Sequence, residues 1–135
     1  VDCAGGETRD TIPEVLEMIA MHPDVHAVIY LGIGIQSNQA RLLREGGFYP
    51  DHGIDRIVAY HERQDQRFAE AADELSKRTG KPILTATELA VADPDNPGPA
   101  TVRATGRLCY PSGNRAVAAL GHLYRAAEFR TRRGM

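Results

Sequence analysis

The stretch from Asp24 to Arg44 constrains the fold more than any other part of the chain. An apolar run from Ala27 to Leu31 leads into two spaced glycines, Gly32 and Gly34, then into small polar residues Gln36, Ser37 and Asn38 and a helix-forming run. A buried strand, a glycine turn and a helix beginning in that order belong to parallel-sheet α/β architecture. The arrangement aims unpaired backbone N–H groups and the positive end of a helix dipole at one point. That is the geometry of an anion site, usually for phosphate. A second reading of the glycines is structural, since glycine after a parallel strand also lets helix and strand pack closely. Likewise, Gln36, Ser37 and Asn38 read either as ligand donors or as N-cap residues.

The flanking segments repeat the alternation of helix and strand. Ile12, Val15, Leu16 and Ile19 share one helical face. Thr11 with Glu14 has the spacing of a capping box, Pro13 is tolerated in a first turn, and His22-Pro23 stops the helix. Ser37 to Glu45 reads as a short helix ended by Gly46-Gly47, and 49–53 reads as a loop. Ile54, Ile57 or Val58, Phe68, Ala72 and Leu75 then mark one long helix to Thr79, with Gly80 as its terminating glycine. Asp73–Lys77 and Glu74–Arg78 have i,i+4 spacing along it. A short strand over 56–60 is the alternative there. Ile83 to Ala86 is a second buried strand. The Pro-rich run from Asp93 to Pro99 predicts a loop, followed by a helix from about Ala100 to Thr105 and a third strand, Leu108 to Tyr110. A last helix starts at Ser112-Gly113 and runs through Val117, Leu120, Leu123 and Tyr124, leaving 128–135 as a basic tail. Val1-Asp2-Cys3 reads as the end of a truncated first strand, poorly anchored, so the chain is expected to be a single domain cut from a larger one.

Composition bounds the function classes. A net charge of −2 with mixed signs argues against a nucleic-acid partner. No apolar run reaches the roughly 20 residues needed to span a bilayer. Cys3 and Cys109 are too few for a disulfide framework, which favours a cytoplasmic setting, and Cys109 reads as a small core residue. The histidines lack ligand spacing for a metal: Pro23 breaks the helix that would align His22 and His26, and His52 and His61 have no partner ligands nearby. His61-Glu62-Arg63 invites a catalytic reading, but adjacent helical residues do not face each other, so a polar helix face is preferred. Glu88 falls at the carboxyl edge of the sheet, where ligands of open α/β sheets gather.

Three groups of residues resemble the C-terminal, flavodoxin-like ligase domain of the NDP-forming acyl-CoA synthetases, the superfamily of succinyl-CoA synthetase and ADP-forming acetate–CoA ligase. Val1-Asp2-Cys3-Ala4-Gly5-Gly6-Glu7-Thr8 is similar to that family's Asp-x-x-Gly-Gly-x-Thr entry into its first helix. Asp24 to Ile29 with Gly32-Ile33-Gly34-Ile35 resembles its central strand and Gly-Gly-Ile turn, here with the glycine pair split by Ile33. Lys81-Pro82-Ile83-Leu84, Glu88, Gly106 and Ser112-Gly113-Asn114-Arg115-Ala116-Val117 resemble its closing strands and helix. Residues 48–66 stand outside the likeness as an insertion.

The resemblance implies a three-layer, mostly parallel α/β sandwich. It implies a part in the reaction of acyl-CoA, NDP and phosphate to give acid, CoA and NTP, with one helix N-terminus holding phosphate, acyl phosphate or phosphohistidine at a domain interface. Phosphate-binding residues are then Gly34, Ile35, Gln36, Ser37 and Asn38, with Gly5 and Gly6. CoA, ATP or ADP and Mg would be held by other modules: a CoA-binding domain, a phosphohistidine-bearing ligase domain and an ATP-grasp domain or subunit. No residue of this chain is expected to be catalytic, the isolated chain is expected to be inactive, and the missing neighbours would leave apolar surface and a tendency to self-associate. Two other readings remain: a stand-alone flavodoxin-like module binding a nucleotide or other phosphorylated ligand, and a ligand-free interaction domain. A receiver domain is excluded, because Gly32-Ile33-Gly34 stands where its phosphorylated aspartate belongs.

Overall fold

The computed structural model describes residues 1–3, 11–47 and 53–135. Gly5, Gly6 and residues 49–52 of the expected 49–53 loop lie outside the described residues. In chain order the elements are α1 (Ile12–Met21), β1 (Val28–Leu31), α2 (Ile35–Glu45), α3 (Ile54–Thr79), β2 (Ile83–Ala86), α4 (Leu89–Ala92), α5 (Pro97–Ala104), β3 (Cys109–Tyr110) and α6 (Gly113–Arg132). The strands form one parallel sheet in the order β1-β2-β3, with Val28 opposite Ile83, Leu31 opposite Ala86, and Ala86 opposite Tyr110. The protein is therefore α/β with helices as the crossovers, as the alternation predicts.

The middle strand is β2, and all four of its residues are buried. The run from Ala27 to Leu31, expected as the buried central strand, is half-buried at the side of the sheet, with Leu31 61% exposed. A strand becomes fully dry only when neighbours lie on both its edges and both its faces, and among the described residues β1 has a strand partner on one edge alone. Val1–Cys3 belongs to no strand and is exposed. It borders a cavity of ≈ 580 Å³ that is also lined by β1 and by Ile12, Val15 and Ile19 of α1.

Alternation along the strands divides the core between two faces. On one, Val28 and Ile83 meet Leu16, Ala20, Ala72 and Leu75. Further along the same face, Tyr30 and Cys109 meet Ile12, Ile33, Phe68, Ala69 and Val102. On the other, Ile29, Leu84, Ala86 and Tyr110 pack on Ala116, Ala119 and Leu120 of α6. Each fully buried aliphatic or aromatic side chain contributes about 1.5–3 kcal/mol, so the α1, α3 and α5 face carries most of the stabilisation.

Local features follow from the residues, with some differences from expectation. α3 is one continuous helix, which excludes the strand at 56–60 and makes 54–66, read as part of an insertion, its first half. Gly80 ends it in the left-handed region, φ 69°, its N–H donating to the Ser76 carbonyl. Lys77 pairs with Asp73 at 2.7 Å, but Arg78 reaches across to Glu17 of α1 at 2.5 Å instead of to Glu74. Thr11 has helical backbone angles, so its hydroxyl cannot turn back onto the first-turn amides and the capping box does not form. The proline run does not extend the loop to Pro99. Asn96 caps α5, and Pro97 and Pro99 lie in its first turn, where a missing N–H costs nothing. The tail from 128 is helical to Arg132, because Ala126, Ala127 and the arginines favour helix and no breaker intervenes before Gly134.

Candidate site at the Gly32 to Gly34 turn

Because the sheet is parallel, the turn after β1, the Thr87-Glu88 turn after β2 and the Pro111-Ser112 turn after β3 all emerge at one carboxyl edge. Gly32 and Gly34 both have positive φ, 86° and 89°. The Ile35 amide turns back to the Gly32 carbonyl at 3.3 Å. Gly34 itself is the N-cap, so α2 begins two residues earlier than its polar residues suggest. Gln36, Ser37 and Asn38 consequently sit inside the first turn and are not caps.

This helix end meets a carboxylate of the chain itself. Asp65, from the middle of α3 and 2% exposed, accepts a hydrogen bond from the Ser37 amide at 3.0 Å. Ser37 is fully buried, and its hydroxyl donates to the Gly34 carbonyl at 3.1 Å. The Asn38 amide donates to the same carbonyl. From the other side comes Asn96, also fully buried. Its Nδ2 donates to the Gly34 carbonyl and to the Ser37 hydroxyl, each at 3.1 Å, while its Oδ1 accepts the Gly98 amide at 2.9 Å. One asparagine thus caps α5 and ties it to the start of α2.

Space at this junction is tight. A Cβ on Gly34 would lie 2.3 Å from Asn96 Oδ1, and one on Gly98 would lie 2.7 Å from the Gly34 nitrogen. Gly34 and Gly98 are glycines because two helix beginnings meet there backbone to backbone. Gly34 therefore serves close packing, but between the beginnings of α2 and α5 and not between helix and strand as its position after β1 suggests. Ile35 and the half-buried Gln36 lie on the outer rim, where with Tyr30 and Asp65 they also line the cavity beside β1.

The electrostatics follow from burial. Desolvation pushes the Asp65 carboxyl above its usual range. The hydrogen bond from the Ser37 amide pulls against this, as does the charge of His61. Tyr30, on β1, is raised well above an ordinary phenol, first by burial and then by the negative charge of Asp65. His61 stands one turn before Asp65 on α3 and makes an edge-to-face contact with Tyr60, ring centroids 5.3 Å apart. Glu62 points elsewhere, to Arg41 of α2 at 2.8 Å, and Arg41 also reaches Asp93 at 3.4 Å. The His61-Glu62 pair is thus divided between two sides of the helix, as helical geometry requires.

Of the residues singled out from sequence, Gly34, Ile35, Gln36, Ser37 and Asn38 come together at one helix beginning, while Gly5 and Gly6 lie outside the described residues. Glu88 is exposed and precedes α4 without capping it. Cys109 is half-buried on β3, and burial pushes its thiol pKa up. Asp65 and Asn96, the two residues that organise the site, are the ones that motif reading passes over. Among the described residues, no group of three or more His, Cys, Asp or Glu side chains could hold a metal ion, and no helix is long and apolar enough to cross a membrane. No family model, curated protein or solved structure matches this chain.

Proposed function

We propose that the chain is a ligase-type domain of an NDP-forming acyl-CoA synthetase, with the three-layer flavodoxin-like arrangement of that domain and a cytoplasmic setting. The observation that carries the reading is the placement of its three resembling junctions. Gly32-Ile33-Gly34, Glu88 and Ser112-Gly113-Asn114-Arg115 follow successive parallel strands and so share one carboxyl edge, the edge at which such sheets meet ligands or partner domains. In this reading CoA, the nucleotide and Mg are held by sibling modules. The chain contributes a helix beginning at an interface and has no turnover alone. In a coupled assay supplied with acyl-CoA, NDP and phosphate, the natural full-length polypeptide is expected to form NTP and this chain alone to form none. Absence of NTP formation by the full-length protein across short acyl-CoAs refutes the assignment.

Asp65 favours a second reading, an interaction domain that holds no phosphate. Its carboxylate already takes the Ser37 amide, which leaves the rim at Ile35 and Gln36 as the outward part of the helix end. The two readings separate on titration with inorganic phosphate followed by amide chemical shifts. Saturable shifts confined to 32–38 support the phosphate-holding domain. Their absence up to tens of millimolar, a range in which binding is worth less than about 4 kcal/mol, supports the interaction domain.

A further inference from the structure

The cavity of ≈ 580 Å³ beside β1 takes no part in the role proposed above, apart from the rim at Ile35 and Gln36. Its size falls in the roughly 300–1,000 Å³ range of small-molecule sites. Most of the wall is apolar, from Ile12, Val15, Leu16 and Ile19 of α1 and Val28 and Ile29 of β1. Val28 and Ile29 point to opposite faces of the sheet, yet both reach the cavity. They do so because β1 has a strand partner on one edge alone among the described residues.

Two features give this cavity a preferred ligand. The first is charge. Among the described residues that line it are two carboxylates, Asp2 and Asp65, and no Lys, Arg or His side chain. Val1 at the border carries an amino group, but it is 98% exposed and its charge is screened by water. Asp65 is held inside the protein, 2% exposed. Its Oδ2 takes the Ser37 amide at 3.0 Å, one donor where a carboxylate has room for about four. His61, whose charge acts on Asp65, is not among the residues that line the cavity. The second feature is aromatic surface. Tyr30 and Phe68 both line the cavity and belong to one packed cluster, and the Asp65 charge acts on the Tyr30 phenol. Aromatic rings beside a carboxylate attract an organic ammonium group through the ring quadrupole as well as the ion pair. An anionic ligand would set like charge against Asp65, and a plain hydrocarbon would leave its acceptor capacity unfilled.

We propose that this cavity binds a small organic amine, with an aliphatic or arylalkyl body against α1 and β1 and a protonated amino group on Asp65 beside Tyr30 and Phe68. The site does not rest on the ligase reading and is opposite to it in charge. A phosphate at the neighbouring helix beginning is repelled by the same carboxylate that draws an amine.

Three probes of nearly one shape test this: phenethylamine, phenethyl alcohol and hydrocinnamate. Each is titrated into the whole chain at neutral pH, with amide and methyl chemical shifts as readout. The expected result is saturable binding of the amine, with shifts over 12–19, 28–32 and 65–68. Its affinity should exceed that of the alcohol at least about tenfold, with the carboxylate weaker still. Asp65→Asn is expected to bring the amine to within about twofold of the alcohol without weakening the alcohol. Val15→Trp, which fills the cavity from α1, is expected to abolish binding of both. Urea midpoints show whether the variants keep the fold, and the ranking of the three probes on the wild type decides without them. Alcohol or carboxylate binding as tight as the amine, an amine affinity unchanged in a folded Asp65→Asn, shifts away from the cavity, or no saturable shift up to tens of millimolar amine would each overturn the proposal.

Discussion

Replacing Asp65 separates its two physical roles, as a hydrogen-bond acceptor and as a buried charge. Asp65→Ala leaves the Ser37 amide without its acceptor in a site 2% exposed. A buried orphan costs about 1–3 kcal/mol, and a loss of about that size is expected. Asp65→Asn keeps an oxygen for that amide and removes the charge, so its cost at neutral pH is expected below ~1 kcal/mol. The pH dependence carries the sharper test. The folded-state pKa of Asp65 is raised, so between the unfolded value, about 3.9, and the folded value the native state binds the extra proton. In that window the unfolded state holds fewer protons than the native state, and stability falls as pH rises. The slope is at most about 1.4 kcal/mol per pH unit for one group. Urea unfolding followed by circular dichroism at steps from about pH 4 to pH 7 gives the difference between wild type and Asp65→Asn, in which all other carboxylates cancel. The wild type is expected to lose stability relative to the variant as pH rises. Parallel curves, or a wild type that gains on the variant with rising pH, refute the account of Asp65 as a desolvated charge held only by a neutral donor and a neighbouring histidine.

Gly34→Ala is expected to cost at least ~2 kcal/mol, from positive φ and contact with Asn96, whereas Gly106→Ala, with positive φ and open space around it, should cost about 1–2 kcal/mol; equal urea midpoints for the two would deny the close approach of α2 and α5. Asn96→Ala removes three buried hydrogen bonds and is expected to cost about 2–4 kcal/mol, with the Gly34→Ala, Asn96→Ala double variant losing less than the sum because both break one junction. Asp73, paired with Lys77 and Arg107 at 2.7 Å each, is held below the usual carboxylate range; its contribution is present above about pH 3.9 and is lost as pH falls through the depressed value. A double-mutant cycle with Arg107 should give about 0.5–1 kcal/mol, shrinking with salt, and a coupling that grows on acidification would contradict the pairing.

The strands and the long helix were legible because their signals are local. Ile83 to Ala86 is flanked by Lys81-Pro82 and Thr87, and the α3 stripe runs unbroken in register. That same stripe also held the site's main residue in plain view. Ile54, Val58, Phe68, Ala72 and Leu75 continue in alternating steps of four and three only if positions 61 and 65 are filled, and those are His61 and Asp65. A carboxylate on the buried face of an amphipathic helix needs donors, and the only nearby chain ends with spare amides are helix beginnings. That inference was available from spacing alone, without naming which helix. Asn96 was harder to find. An Asn before Pro-Gly-Pro signals a loop as strongly as it signals an N-cap, and its second role, on the Gly34 carbonyl, is set by a contact across 62 positions. The side position of β1 was illegible for a related reason: an apolar run reports that a strand is buried somewhere, and only pairing decides on how many sides.

The internal carboxylate also decides how a phosphate contact at this turn must work, if the ligase reading holds. Two unit charges about 4 Å apart repel by roughly 4 kcal/mol at an effective dielectric constant of 20. The helix end offers an anion about 0.3–1 kcal/mol when exposed and up to ~2 when partly buried. An ionised Asp65 therefore outweighs the dipole, and a phosphoryl group takes the Ser37 amide only with a protonated or displaced Asp65. Binding there must be linked to proton uptake. Affinity for phosphate is expected to rise as pH falls toward the Asp65 window, and Asp65→Asn is expected to remove that dependence apart from phosphate's own titration. Rim binding at Ile35 and Gln36, which leaves Asp65 in place, lacks that linkage. Phosphate affinities for wild type and Asp65→Asn at several pH values tell the two modes apart: curves that differ in slope assign the inner amide, and curves with one slope assign the rim.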